Sequence, residues 1–293
     1  MKEKTFREIE YQAWSDRASQ YDKLFASVSQ QAGRDILRSL GSLQGKRHLD
    51  VASGTGHLVA AATMQGAISE GIDFSPAMVV VAQTNYPSKR FQIADAVSLP
   101  YEDVAFDLVT CSFGLSHLDN PQAAVDEAFR VLKPDGCLAF TLWFGPEQGN
   151  EQRGMIQTAL EKHATTDFAL PEGWMLLRNA DKGACEELTP KAGFGSPVFK
   201  RLPIVWQAYS AQEVVDLFLK LSVRNKLMIG RQSVEVRGHI YEHILSKAES
   251  RKTNGSISIN MPALLTVVKK PQASRGRKFF GQFEPKYIRP FKK

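Results

Sequence analysis

A chain of 293 residues can bury one sizeable core, so one large α/β domain or a main domain with a small cap is expected and two full domains of equal size are disfavoured. An apolar fraction of 43% with 23% charged residues excludes a disordered or fibrous chain, and no segment approaches the roughly 18 apolar residues of a membrane span. The net charge of +6 is local: nine bases between Lys269 and Lys293 face Glu284 alone, so this tail carries +8 and the body −2.

The opening MKEKTFREIEYQAW mixes acids and bases without the apolar run of a secretory signal, so a cytoplasmic location is expected. Between residues 5 and 40, Phe6, Ile9, Ala13, Trp14, Tyr21, Leu24, Phe25, Val28, Ile36, Leu37 and Leu40 recur at spacings of three and four. That periodicity predicts short amphipathic helices, with Gly41 and Gly45 marking the exit.

The pattern then becomes α/β. Strands are predicted over Arg47–Ala52, Ala67–Asp73, Phe91–Ala94, Phe106–Cys111 and Gly136–Trp143, with helices over Gly56–Met64, Ser75–Thr84 and Pro121–Leu132. Ser75 and Pro76 supply the cap and first position of the second helix. Alternation at this spacing implies a mostly parallel sheet covered on both faces. From Gly145 to Pro190 it lapses into a helical stretch near Arg153–His163 and a turn-rich Leu170–Gly173, read as an insertion covering one sheet edge. A helix over Lys182–Ala192, a strand near Val198–Trp206, helices over Ala211–Leu221 and Ser233–Lys247, a turn at Asn254–Gly255 and a strand over Ala263–Val268 follow.

The strongest local signal is HLDVASGTGHLVAAA at His48–Ala62. Asp50 ends a strand, Gly54 and Gly56 permit a tight turn and close backbone approach to a ligand, and a helix N-terminus follows. The position three beyond Gly56 is Val59, so the GxGxxG fingerprint of a dinucleotide site is absent. Asp73, in GIDFSP, ends the second strand where a carboxylate can accept from ribose hydroxyls; Phe74 and Met78 offer apolar surface to a purine. Asp95, after the third strand, can accept from an exocyclic amine, while Ala94 and Ala96 keep the slot open. These strand ends describe an adenosine site without an evident phosphate clamp.

The stretches LDVASGTG, GIDFSPAMV, ADAVSLPYEDVAFDLVTCSFGLSHL and DEAFRVLKPDGCLAF, in this order over about 100 residues, resemble the class I S-adenosylmethionine-dependent methyltransferases, most closely their ubiquinone and menaquinone methyltransferase-like small-molecule branch. Weaker resemblance continues from Ala192–Phe194 to Leu264–Pro271. It implies a Rossmann-like, mostly parallel seven-stranded sheet with helices on both faces. A helical lid over 1–44, a cofactor-binding core over 45–144, an inserted cap and acceptor pocket over 145–190, a completion of the sheet over 191–270 and a basic aromatic tail over 271–293 are implied with it.

By the same resemblance, Ala52, Ser53, Gly54 and Gly56 would cradle the methionine part of S-adenosyl-L-methionine, supported by Asp50. Asp73 would take the ribose, Asp95 and Ala96 the adenine, Ser112 and Leu115 the methyl-donor end, and Tyr21 would close over the cofactor. Ser53 replaces the usual small or cysteine residue before the GTG, and Asp135 the first glycine of a KPGG turn; both substitutions suit their places.

His117 lies just beyond the fourth strand and is the candidate base for the acceptor, a structural histidine being the competing reading. No dedicated base is strictly required, since alignment of nucleophile, methyl carbon and sulfur supplies much of the rate. Trp14, Trp143 and Trp174 are candidate acceptor-pocket aromatics, with core packing as the alternative. The cysteines form neither a disulfide framework nor a metal motif, and His239 and His243 lack a third ligand nearby, so no metal is expected.

The expected reaction is methyl transfer to oxygen, nitrogen or carbon of a small, fairly apolar metabolite. An RNA methyltransferase would use the basic tail, but the acidic body and the lack of an NPPY-like tetrad make nucleic acid an unexpected partner. A non-methylating protein on the same scaffold is a further alternative. The tail, with Phe279, Phe280, Phe283, Tyr287 and Phe291, is read as a solvated extension or an arm packed on a partner subunit, leaving monomer and homodimer open.

Overall fold

The computed structural model describes residues 4–165, 180–220 and 222–272. The expected short N-terminal helices are one helix of 34 residues, α1 (Phe6–Ser39). It starts at a capping box in which Thr5 Oγ1 accepts from Glu8 N and the Glu8 carboxylate accepts from Thr5 N at 2.8 Å. No proline interrupts it. The apparent breaks in periodicity arise because its two ends bury different stripes: Phe6, Ala13 and Ala18 in the first half, Val28, Ala32, Ile36 and Leu37 in the second.

The expected strand–helix alternation follows as β1 (Arg47–Val51), α2 (His57–Met64), β2 (Ile68–Asp73), α3 (Pro76–Asn85), β3 (Arg90–Ile93), β4 (Phe106–Ser112), α4 (Pro121–Val131) and β5 (Leu132–Trp143). Ser75 Oγ accepts from Met78 N to cap α3, and Asn120 Oδ1 accepts from Ala123 N to cap α4; a proline follows each cap. The chain continues through α5 (Glu151–His163), α6 (Lys182–Lys191), β6 (Val198–Leu202), β7 (Val205–Ala208), α7 (Ala211–Lys220), α8 (Val223–Gly230), α9 (Val234–Glu249), β8 (Ile257–Asn260) and β9 (Ala263–Lys269).

Seven strands form one sheet in the order β3-β2-β1-β4-β5-β9-β6, in which β9 alone runs against its neighbours. The α/β, Rossmann-like class is therefore the fold. The chain leaves β1 toward β2 and β3, then returns to the other side of β1 as β4. The β1–β4 boundary is thus a topological switch point, and the crevice beyond the carboxyl ends of its strands is the natural ligand site of such a sheet.

Alternation along the central strands divides the core. Leu49, Val51, Val109, Leu138 and Phe140 face α4 and α6, while Leu108, Ala139 and Leu265 face the second half of α1 and the helices α5, α7 and α9. The single strand expected over Val198–Trp206 is two: Pro203, which has no N–H for a ladder, separates β6 from β7, and β7 pairs with β8 in a ribbon of its own. Asn254 and Gly255 both take positive φ, 50° and 80°, forming the expected turn before β8. The helix α8 escapes the sequence pattern because Arg224, Asn225 and Lys226 break its apolar period; Ser222 Oγ caps it by accepting from Asn225 N at 3.2 Å.

No helix among the described residues is long and apolar enough to cross a membrane. Phe140 is fully buried at the centre of β5. Phe140→Ala should cost about 3–5 kcal/mol, read as a lower urea midpoint at unchanged slope.

Candidate functional site

The turn after β1 is built from left-handed backbone. Ala52, Gly54 and Gly56 have φ of 55°, 52° and 88°. Ser53 N donates to Ile72 O at 2.8 Å, and Gly54 N donates to Asp73 Oδ2 at 2.9 Å. Ser75 N donates to Asp73 Oδ1 at 2.9 Å, so one carboxylate ties the β1 turn to the start of α3. Each Asp73 oxygen retains a further lone pair. Asp73 is only 5% exposed, and burial pushes its pKa up to about 6, against the lowering effect of the Ser75 and Gly54 amides.

The turn after β4 meets it from the other side. Phe113 has φ of 62°, and a Cβ on Gly114 would lie 2.6 Å from Ala52 Cβ, so only glycine permits this approach. The short 3₁₀ turn Gly114–His117 then delivers His117.

Between the two turns lies a cavity of about 690 Å³, within the range of small-molecule sites. Tyr21, Ala52, Gly54, Asp73, Phe74, Met78, Asp95, Ala96, Ser112 and His117 line it, as do Trp14 and Trp143. Twelve residues singled out in the sequence are thereby brought together. Six carboxylates, Glu10, Asp73, Asp95, Asp119, Glu147 and Glu161, share this wall with Arg7, Arg153 and Arg224, an excess of acid that suits a cationic ligand.

Four residues expected at the cofactor, Asp50, Ser53, Gly56 and Leu115, are not part of the cavity lining. Gly56 faces away from the cavity, where a Cβ would lie 2.6 Å from Phe91 Cζ; its glycine serves packing of the turn on β3. Ser53 packs against Gly71, with its Oγ 2.8 Å from where a Cβ would stand. Leu115 is buried among the side chains between the sheet and α4. Asp50 lies within the sheet, 2% exposed, where it accepts from Thr110 Oγ1 at 2.6 Å. Since Thr110 spends its one proton there, His48 Nε2 donates to Thr110 Oγ1 at 2.8 Å and Ser69 Oγ donates to His48 Nδ1 at 3.1 Å. Trp174 lies outside the described residues, as does the tail from 273 onward.

An aromatic belt runs along the cavity wall. His117 meets Trp14 edge-on at 4.9 Å, Trp14 meets Tyr21 at 5.9 Å, and Tyr21 meets Phe25 at 5.4 Å. Phe25 meets Trp143 at 5.9 Å, and Trp143 stacks on Phe113 at 3.8 Å with an interplanar angle of 2°. Burial raises the Tyr21 pKa, leaving its phenol neutral.

Along its first half α1 crosses the loops that follow β1, β2 and β3. Arg7 pairs with Asp95, Tyr11 meets Phe74 edge-on at 5.9 Å, and Ser15 Oγ lies 3.2 Å from Ser75 Oγ. Asp22 Oδ1 is 3.0 Å from Nε2 of His57, the first residue of α2. Glu10, 3% exposed, accepts from Trp14 Nε1 at 2.8 Å and lies 3.0 Å from His117 Nδ1. Glu10 and Arg7 were missed in the sequence; the legible signal for Glu10 was a charge in the buried stripe Phe6, Glu10, Ala13, Arg17. The α5 and α8 side chains Arg153, Gln157, Arg224 and Met228 complete the wall, and no short motif marked them. His163 Nε2, from α5, lies 3.2 Å from His243 Nδ1, a neighbour that His243 lacked in the sequence reading; among the described residues no cluster is arranged to hold a metal.

Residues 49–140 match the family model described as a methyltransferase domain. A demethylmenaquinone methyltransferase from Clavibacter sepedonicus is 36% identical over 146 residues, 47% of this chain and 59% of its own. A demethylmenaquinone methyltransferase from Streptomyces griseus is 33% identical over 177 residues, covering 58% of this chain and 77% of that protein. The chain spans about two-fifths to three-fifths of the length of the first curated relatives it matches. Among solved structures, the YcgJ protein from Bacillus subtilis superposes with a TM-score of 0.56 at 21% identity, over 83% of this chain and 99% of its own, a likeness of fold.

Asp50 and His48 supply a stability test. Burial raises the Asp50 pKa to about 7 and lowers that of His48 to about 4. Ionising Asp50 in the folded state is penalised, so its contribution is fully present below the ordinary carboxylate range and lost as pH rises through 7. Asp50→Asn lacks this loss, whereas the His48 loss between the ordinary imidazole pKa and 4 is common to both proteins. Urea titrations from pH 5 to pH 8 should therefore show the variant gaining on the wild type as pH rises; a flat difference would remove Asp50 as the titrating group.

Proposed function

The chain belongs to the class I S-adenosylmethionine-dependent methyltransferases, related to the demethylmenaquinone methyltransferases, and we propose that it transfers a methyl group to a small, fairly apolar acceptor bound under the aromatic belt. The observation that carries this reading is the single cavity at the switch point, which joins a buried ribose-type carboxylate, Asp73, to an aromatic chamber holding His117.

The donor fits what the cavity offers. Its acid excess complements a sulfonium, the open side of Gly54 has nothing within 4 Å of a built Cβ, and the remaining lone pairs of Asp73 suit two vicinal hydroxyls. When bound, S-adenosylmethionine supplies a methyl carbon activated by positively charged sulfur. Ala52 and Gly54 hold its methionine part, Asp73 the ribose, and Phe74, Met78 and Ala96 the purine. Asp95, which pairs with Arg7, would accept from the adenine amine. Ser112 and Tyr21 border the methyl-donor end, while Trp14 and Trp143 with Phe25 and Phe113 exclude water and orient the acceptor. His117 takes the acceptor's proton.

The α1 helix acts as the lid and α5 with α8 as the acceptor-side wall. An apolar chamber of this size favours an organic metabolite over a polymer. A dinucleotide is disfavoured because Val59, at the place of the third fingerprint glycine, is fully buried against Val79, Ala82 and Phe91.

S-adenosylhomocysteine should bind wild-type protein in calorimetry, and Asp73→Asn should weaken it about 10- to 100-fold, as expected for losing charge-assisted hydrogen bonds. Because the ionised Asp73 carboxylate accepts hydroxyl hydrogen bonds more strongly than the neutral acid, wild-type affinity should fall as pH drops below about 6, and the variant should lose that dependence. Cell extract incubated with the protein and methyl-labelled S-adenosylmethionine should yield one labelled product absent with Asp73→Ala/Asp95→Ala. Binding without any labelled product would replace methyl transfer with a non-methylating role.

A further inference from the structure

Glu10 reaches across from α1 to His117, and the bonding at its carboxylate defines which imidazole nitrogen carries the proton. Trp14 Nε1 can only donate, so Glu10 Oε2 is an acceptor there. The Arg17 guanidinium, two turns further along the same face of the helix, is attracted to the Glu10 carboxylate, and a carboxylate oxygen accepts. His117 Nδ1 is then the donor across the 3.0 Å contact, and Nε2 keeps its lone pair. Trp14, edge-on at 4.9 Å and 85°, fixes the ring plane, and the imidazole remains 32% exposed on the cavity wall.

We propose that Glu10 is a positioning residue that completes the base only when α1 lies across the cavity, and that the acceptor's nucleophilic atom therefore carries a weakly acidic proton. This rests on the methyltransferase reading. The contacts of α1 with Asp95, Phe74 and Ser75 set the register that places Glu10 against His117. With α1 withdrawn, the imidazole loses both its orienting carboxylate and the Trp14 edge. The base is thus assembled by the same movement that shuts out water.

The balance needs no other reactant. The acceptor's electron pair forms the bond to the methyl carbon, the methyl–sulfur pair stays on sulfur, and the acceptor's proton passes to His117 Nε2 and on to water. The charge that appears on the imidazole faces the Glu10 carboxylate, as in other histidine–carboxylate pairs.

Nitrogen-15 spectroscopy of histidine-labelled, full-length protein saturated with S-adenosylhomocysteine reads this without turnover. His117 should carry its proton on Nδ1, Glu10→Ala should abolish that bias, and Glu10→Gln, which keeps an acceptor oxygen, should largely retain it. Glu10→Ala and His117→Asn should lower kcat on the extract-derived acceptor by about 10²- to 10⁴-fold. Their affinity for S-adenosylhomocysteine should stay within about threefold of the wild type. A wild-type proton on Nε2, a tautomer indifferent to Glu10→Ala, or a product methylated on an atom that bore no proton would each overturn the proposal. Equal losses in kcat and affinity would reduce Glu10 to a structural role. Failure of all methyl transfer would instead defeat the underlying reading, and the tautomer result would still show whether Glu10 holds His117.

Discussion

The turns leaving β1 and β4 touch through Ala52 and Gly114, and the floor of the cavity is built on that contact. A side chain on Gly114 would collide with Ala52 and with the Cys111 sulfur, so the two strands could not end at one crevice. Their parallel pairing brings the turns to the same level, and the reversal of strand order sends them apart. Asp73 fastens the β1 turn to α3 from one side, while Phe113 N, donating to Thr141 Oγ1 at 3.0 Å, fastens the β4 turn to β5 from the other. The cavity is the space these fastened turns leave open.

Most of the fold was legible in the sequence because its information is local. Strand alternation, the Ser75–Pro76 and Asn120–Pro121 caps and the positive-φ positions around Gly54 are written in neighbouring residues. The acids Asp73 and Asp95 were legible too, because strand ends converge at one edge of a parallel sheet. What escaped was pairing between distant segments. Glu10 and His117 are 107 residues apart, and the stack of Phe113 on Trp143 joins two strand ends. The residues that lie off the cavity share one cause: the side chains of Asp50, Ser53 and Leu115 sit within a turn's width of it but point into the protein, a distinction of direction that spacing along an irregular turn does not carry.

The inward-facing Asp50 has a structural role of its own. Through Thr110 and His48 it threads a polar chain across β2, β1 and β4 beneath the ligand turn. Each donor meets an acceptor, so the chain offsets part of its desolvation while giving the strands only one register in which it closes. The apolar neighbours Leu49 and Val51, on the opposite face, impose the same register by burial.

The continuous α1 gives the site a mechanical character. At 34 residues it is about 51 Å long. Its far half is clamped in the core from Val28 to Leu37, its near half lies across the cavity, and between them Tyr21, Leu24 and Phe25 are partly buried against the core. The near half is held by fewer and mostly polar or edge-on contacts, to Asp95, Phe74 and Ser75, so it is the half that can part from the sheet while the far half stays in the core. Lifting of that half would part Trp14 and Glu10 from His117 while leaving the sheet and the clamped half in place. Exchange of ligands would then turn on the deflection of one helix, with its aromatic side chains serving as the seal.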